Sequence, residues 1–116
     1  MGGAPHKIMA RRRKVDKEAV YGTVRRIPRG KVSTYGAVAR AVGVPNAARA
    51  IGSIMRANPN PPIIPCHRVV YWDGRLGGFG GKSWVPKKAR MLRSEGIRIA
   101  HGRIEGFAQV LYDFKG

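Results

Sequence analysis

Four of the chain's eight prolines fall between residues 59 and 65, in the run Asn58-Pro59-Asn60-Pro61-Pro62-Ile63-Ile64-Pro65. Each proline fixes φ, lacks an amide proton and pushes the residue before it out of the helical region, so no helix crosses this stretch. It reads as a stiff, extended strut that delivers the backbone directly to Cys66. At 116 residues the chain has room for one domain around one core. Helical patterns precede the strut, and a mixed pattern follows it.

Before the strut, Ala19, Val20, Val24 and Ile27 fall at helical spacing after Asp16, and Pro28 with Gly30 stops them. Ser33 or Thr34 is placed to cap a second helix that carries Tyr35, Val38, Ala39 and Val42 and closes at Gly43. Asn46 is placed to cap a third. There Ala47, Ala50, Ile51, Ile54 and Met55 form an apolar stripe, which turns Arg49 and Arg56 elsewhere. Two short helices joined by a glycine turn, the second carrying arginines off its core face, match a helix-turn-helix. Ala48, Gly52 and Ser53 make the outer side of the third helix slim. Such a surface suits close approach to a narrow groove, or packing against another helix; a major-groove reader would display Asn, Gln or several arginines.

After the strut, Val69 to Trp72 and the segment around Leu76 predict a hairpin across Asp73-Gly74. Gly77-Gly78-Phe79-Gly80-Gly81 then reads as a loop that passes close to a bound group or simply connects. A last helix is predicted from about Ser83, with Pro86 early, Trp84, Met91 and Leu92 on one side and Gly96 as its stop. Ile97-Arg98-Ile99 and the tail to Phe114 read as short strand and turn pieces over the core. The expected fold is mainly α with small β elements, a winged-helix or helix-turn-helix-like DNA-binding domain over residues 15–116. Residues 1–14, with Arg11-Arg12-Arg13-Lys14, read as a flexible basic arm that contacts phosphate or is a solvated tail.

Lys and Arg number 23 against 6 Asp and Glu, a formal net charge of +17. That excess suits a polyanion, with nucleic acid first, although ribosomal and membrane-surface proteins share such basicity. No stretch approaches the length of a membrane span, and the first residues lack the apolar centre of a signal peptide. The expected location is cytoplasmic and nucleoid-associated, or otherwise intracellular with DNA, with no membrane partner. Cys66 is the only cysteine, which excludes an internal disulfide and leaves three uses: small hydrophobe, ligand or nucleophile. His67 and Arg68 are in reach by sequence to take its proton or stabilise a thiolate. No tetrahedral set of Cys and His ligands is present for a metal.

Taken in order, Tyr35, Ala47-Ala48-Arg49-Ala50-Ile51-Gly52, Asn58-Pro59, Pro65-Cys66-His67-Arg68-Val69-Val70, the glycine loop and Glu95-Gly96 compose one pattern. It resembles the C-terminal domain of O6-alkylguanine-DNA alkyltransferases, the methylated-DNA–protein-cysteine methyltransferases, over roughly residues 17 to 97. The resemblance implies minor-groove binding, extrusion of the damaged guanine and irreversible, single-turnover transfer of its alkyl group to Cys66. It implies that His67 acts as base through a water, that Glu95 orients His67, and that Tyr35 donates to the base as charge develops. Arg49 would fill the gap left by the extruded base, Ala48, Ala50 and Gly52 would keep the helix slim, and Arg56 would contact phosphate. Asn58 would brace the turn, while Pro65, Arg68, Val69, Phe79 and Gly80 would shape the base pocket. The implied partner is double-stranded DNA containing O6-alkylguanine, bound by a monomer that needs no cofactor or metal. The chain departs from many members in having only the short arm before its first helix, and Phe79 and Gly80 where tyrosine and serine are common. A noncatalytic lesion binder like the related alkyltransferase-like proteins is the alternative, but those replace the cysteine. A winged-helix transcription regulator would not need the Cys-His-Glu set.

Overall fold

The structure, a computed structural model, describes residues 15–58, 63–77 and 84–115. The basic arm, the prolines at 59, 61 and 62, and the glycine-loop positions Phe79 and Gly80 lie outside the described residues. Helix α1 spans Lys17–Arg25 and starts where Asp16 accepts from the Glu18 amide at 2.9 Å, a cap worth about 0.5–2 kcal/mol. It buries Val20, Tyr21 and Val24, one face of the helix. After the Pro28–Gly30 turn the chain enters strand β1, Ser33–Thr34, and then helix α2, Tyr35–Ala41. Thr34, not Ser33, is the cap of α2: its hydroxyl accepts from the Ala37 amide at 3.0 Å.

Gly43, at φ +85°, ends α2 in the left-handed conformation. The amide of Val44 then reaches Ala39 O at 2.9 Å and that of Gly43 reaches Arg40 O at 3.0 Å, so the last carbonyls are satisfied and the chain reverses. Helix α3, Ala48–Arg56, follows. Asn46 does not cap it. A turn closed by Ala47 N to Val44 O at 2.9 Å sets Ala47 at the cap position, and no side chain bonds to the first amides. Ile51, Ile54 and Met55 face inward as the stripe requires. With Val20, Val24, Ile27, Val38 and Cys66 they form the first core cluster, and Tyr21 Oη ties α1 to Ile54 O at 3.1 Å.

The second half differs from the hairpin expected there. Residues Cys66–Arg68 form one 3₁₀ turn, and strand β2, Val69–Val70, then pairs in parallel with β1 through Ser33↔Val69 and Thr34↔Val70. Both valines are fully buried, so the pair needs cover on two sides, which a parallel position inside the fold supplies and a surface hairpin would not. Asp73-Gly74 does make a tight turn, closed by Gly74 N to Tyr71 O and Tyr71 N to Arg75 O, each 2.9 Å. Beyond it, however, Arg75 bridges to Arg103 and Leu76 N bonds to Gly102 O.

Helix α4, Trp84–Ser94, carries Pro86 in its first turn, where a missing amide proton is harmless. Its end repeats the α2 solution: Gly96 is left-handed, Ile97 N bonds to Leu92 O at 3.1 Å, and Glu95 is turned back toward the core. It is not the last helix. Strands β3, Ile99–Ala100, and β4, Arg103–Ile104, form a hairpin, and α5, Phe107–Val110, comes after them. Val32, Val70, Leu76, Ala89, Leu92, Ile97 and Ile104 make a second core cluster under this cover. The tail crosses back, with Tyr112 N to Val32 O at 2.7 Å, and lays Tyr112 and Phe114 on the first cluster. No helix is long and apolar enough to cross a membrane among the described residues.

Candidate active site

Pro65 leads into the 3₁₀ turn, held by Cys66 N to Ile64 O at 2.8 Å and Arg68 N to Pro65 O at 2.9 Å. Asn58 Nδ2 donates to Ile64 O at 2.8 Å and so ties the end of α3 to the start of this turn. Cys66 is 3% exposed and packs in the first core cluster, and His67 is 2% exposed. Such burial suits a plain apolar thiol as well as a nucleophile. What distinguishes the site is the charged group assembled behind it.

Glu95, its side chain 6% exposed, receives His67 Nε2 at 2.9 Å, Arg68 Nε at 2.9 Å and Arg68 Nη2 at 2.8 Å. The remaining Arg68 nitrogen, Nη1, donates to Ile27 O at 2.8 Å. The planar guanidinium fork fits both carboxylate oxygens at once, which a lysine could not do. This corrects the expected use of Arg68 as a charge for the thiol: its guanidinium is committed to Glu95 and Ile27. Burial by itself raises the Glu95 carboxyl, but the hydrogen bonds from Arg68 and His67 outweigh it and hold the group below the ordinary carboxylate range.

Burial pulls His67 below the ordinary imidazole range, with Glu95 opposing and Arg68 and Lys88 adding to the fall. The ring is therefore neutral at neutral pH. An ionised Glu95 can only accept, so Nε2 must carry the single ring proton. Nδ1 is then the basic nitrogen, and it is buried with no hydrogen-bond partner among the described residues. A buried base without a partner is the state needed to take a proton.

Lys88 is the residue sequence reasoning missed. It is fully buried on α4, and Nζ donates to Val69 O at 2.7 Å and Leu76 O at 2.6 Å. Burial pulls its pKa down to about 7. The ammonium lies 5.8 Å from the centre of the Tyr35 ring. A signal was present: Lys88, Ala89 and Leu92 share one helical face, so a lysine occupies a core position. Tyr35, at the start of α2, packs its ring 5.5 Å from that of Tyr71. Burial first, then Tyr71 and Cys66, push its phenol above the ordinary range, so it stays a proton donor. Gly77, at φ +83°, closes this corner; a Cβ there would meet Tyr71 at 3.3 Å and Tyr35 Oη at 3.4 Å.

In front of this corner lies a cleft of about 820 Å³. One wall is α3, through Ala48, Arg49, Gly52, Ser53 and Arg56; the other is Tyr35, Gly36, Tyr71 and Trp72. Four of the residues predicted to face DNA thus share one wall. Ala50 does not line the cleft. Val69 is buried, and its carbonyl already accepts from Lys88.

Residues 16–97 match the family described as "6-O-methylguanine DNA methyltransferase, DNA binding domain". The chain belongs to that family. Within it, the chain is 42% identical over 97 residues to a bifunctional methyltransferase/endonuclease of Thermoplasma volcanium, covering 83% of this chain and 30% of that protein. It is 44% identical over 80 residues to the methylated-DNA–protein-cysteine methyltransferase of Salmonella typhimurium, covering 69% of this chain and 46% of the other. The chain thus spans less than half the length of either relative. The crystal structure of S. pombe Atl1 with damaged DNA containing O6-carboxymethylguanine superposes with a TM-score of 0.77 at 30% identity, covering 86% of this chain and 98% of Atl1. The family match stops at residue 97, so the β3–β4 hairpin, α5 and the tail lie beyond it, although they cover both core clusters.

Proposed function

We propose that this chain repairs DNA by transferring the alkyl group of an O6-alkylguanine to its own Cys66. The observation that carries the reading is the Glu95–His67 hydrogen bond behind Cys66, which leaves His67 Nδ1 as a buried base. His67 takes the thiol proton, directly or through a water, and the thiolate attacks the alkyl carbon. An S–C bond forms, the C–O6 bond breaks, and guanine keeps the electron pair. Tyr35, kept protonated by burial, donates to the base as that charge develops. Lys88 adds positive charge to the same corner in its protonated form. The thioether is not reversed, so each molecule acts once and no cofactor enters the reaction.

Binding follows from the cleft and the charge. Arg49 and Arg56 project from the α3 wall, and a net charge of +17 favours a duplex. Ala48 and Gly52 let the helix backbone approach a narrow groove, and Arg49 enters the stack as the damaged base leaves it. Relatives named "methylated-DNA–protein-cysteine methyltransferase" support the transfer reading. The likeness in extent and shape to Atl1 favours a second reading, a lesion binder without transfer. Cys66 on its built base-and-carboxylate support argues for transfer.

The test is intact mass after incubation with duplex DNA containing O6-methylguanine. A gain of one methyl group per chain, absent in Cys66→Ser, is expected. Tight binding to the lesion with no mass gain would replace transfer by recognition alone.

A further inference from the structure

Trp72 is 78% exposed, although a large aromatic side chain normally gains by burial. Its backbone is nevertheless fixed. The turn from Tyr71 to Arg75 is closed by two hydrogen bonds of 2.9 Å, and Asp73 holds Arg75 Nε at 2.8 Å and Arg103 Nη2 at 3.6 Å. Gly74 leaves room there for Phe107, which a Cβ would approach to 3.3 Å. The neighbouring Tyr71 is used inside the protein, between the Tyr35 ring at 5.5 Å and the Arg75 guanidinium at 4.9 Å. Trp72 takes part in neither contact. It is an anchored, flat, unspent surface at the lip of the cleft, facing the α3 wall that carries Arg49 and Arg56.

We propose that Trp72 is a stacking platform for an unpaired DNA base, the neighbour of the extruded guanine on the same strand. The proposal rests on the reading that this cleft binds DNA. Its physical ground is that a base which leaves the stack strips one face from each of its two neighbours: where Arg49 covers one, an indole on the lip can cover the other. The surroundings fit a base between phosphates and not an apolar protein surface, because Arg49, Ser53 and Arg56 stand across the cleft and Arg75 and Arg103 lie exposed beside the turn. Any base has a flat face, so the platform is tolerant of sequence. The chain should therefore hold single-stranded DNA through Trp72 as well as through its charge.

The probe is a thymine oligodeoxynucleotide of about 12 nucleotides, within the range one such site covers. Trp72 and Trp84 are the two tryptophans, so a Trp84→Phe background isolates the signal of Trp72. Its fluorescence should be quenched on titration with the oligonucleotide. Trp72→Ala should weaken binding about 5- to 150-fold, the range of one base–aromatic stack, and Trp72→Phe should recover most of the loss. The dependence of log Kd on log salt should keep its slope, because a stack releases no counterion. Unchanged affinity in Trp72→Ala, or a loss accompanied by a shallower salt slope, overturns the platform. Reaction with free O6-benzylguanine needs no DNA and separates the two readings. A wild-type chain that alkylates itself and binds DNA, with Trp72→Ala binding equally well, overturns the platform alone; a wild-type chain that binds no DNA overturns both.

Discussion

Replacing Glu95 by glutamine tests whether the carboxylate directs His67 or merely neutralises Arg68. Glu95 accepts three hydrogen bonds of 2.8–2.9 Å from two residues. Hydrogen bonds to a charged group contribute about 1.5–3 kcal/mol each, but glutamine keeps one acceptor oxygen and Arg68 is 16% exposed, so part of the loss is recovered. Leaving a buried guanidinium without its counter-charge costs about 3–5 kcal/mol, and the partial exposure puts Glu95→Gln near the lower end. Set against a total stability of about 5–15 kcal/mol, such a variant folds but melts early. The chemical effect is separate. The new amide can donate to His67 Nε2, which moves the ring proton to Nδ1 and removes the base. Transfer from free O6-benzylguanine, followed by intact mass, should slow by about 10²–10⁴-fold, the share a positioned base supplies. The double variant Glu95→Gln with Arg68→Met separates the two effects, because it removes the stranded charge as well. Thermal unfolding should recover much of the lost stability while the rate stays low. Recovery of the rate together with the stability would refute the orienting role and reduce Glu95 to a counter-ion for Arg68.

Arg49→Ala should slow transfer from duplex DNA far more than transfer from free O6-benzylguanine, since the free base has no stack to leave; equal losses in the two mass assays would remove Arg49 from extrusion. Lys88 should appear in the pH dependence of stability. Its folded pKa of about 7 lies below the ordinary lysine value of 10.5, so between these limits the unfolded chain binds more protons and stability rises with pH. Thermal melts of Lys88→Met should lack that rise, and an unchanged slope from pH 7 to 10.5 would show that Lys88 keeps its proton in the fold. His67, also depressed, has the same sign at lower pH: stability falls as acid charges the unfolded imidazole below about 6.5, and transfer is lost only at lower pH, where the folded ring itself takes a proton.

The parts of this fold that were legible in the chain are those that a single residue decides locally. Thr34, one of the two candidates, caps α2 because a short side-chain acceptor reaches its own first turn, and Gly43 and Gly96 stop α2 and α4 because a left-handed residue is needed. Cys66 and His67 stand out by being adjacent, with the use of the thiol left open, whereas Glu95 joins them only through the family resemblance; local pattern leaves it an ordinary helix-end carboxylate. The parts that were not legible depend on a partner far along the chain. Strands β1 and β2 are two residues each, too short to show alternation, and Val69 and Val70 pair with Ser33 and Thr34 across the intervening helices α2 and α3. Asn46 had the right side chain for a cap, but the Val44–Ala47 turn moved the helix start past it. Arg68 reads locally as a charge for the thiol, and Lys88 escapes notice because charge patterning assigns cations to solvent. Here one cation is spent on Glu95, and the other closes the gap between Val69 O and Leu76 O. With 23 lysines and arginines against 6 acids in the sequence, Lys88 is nevertheless fully buried and Arg68 part-buried, both against the Cys66 turn and the strand that follows it. Basicity that reads as a DNA-binding surface is therefore also, at these two positions, the scaffold of the proposed reacting centre.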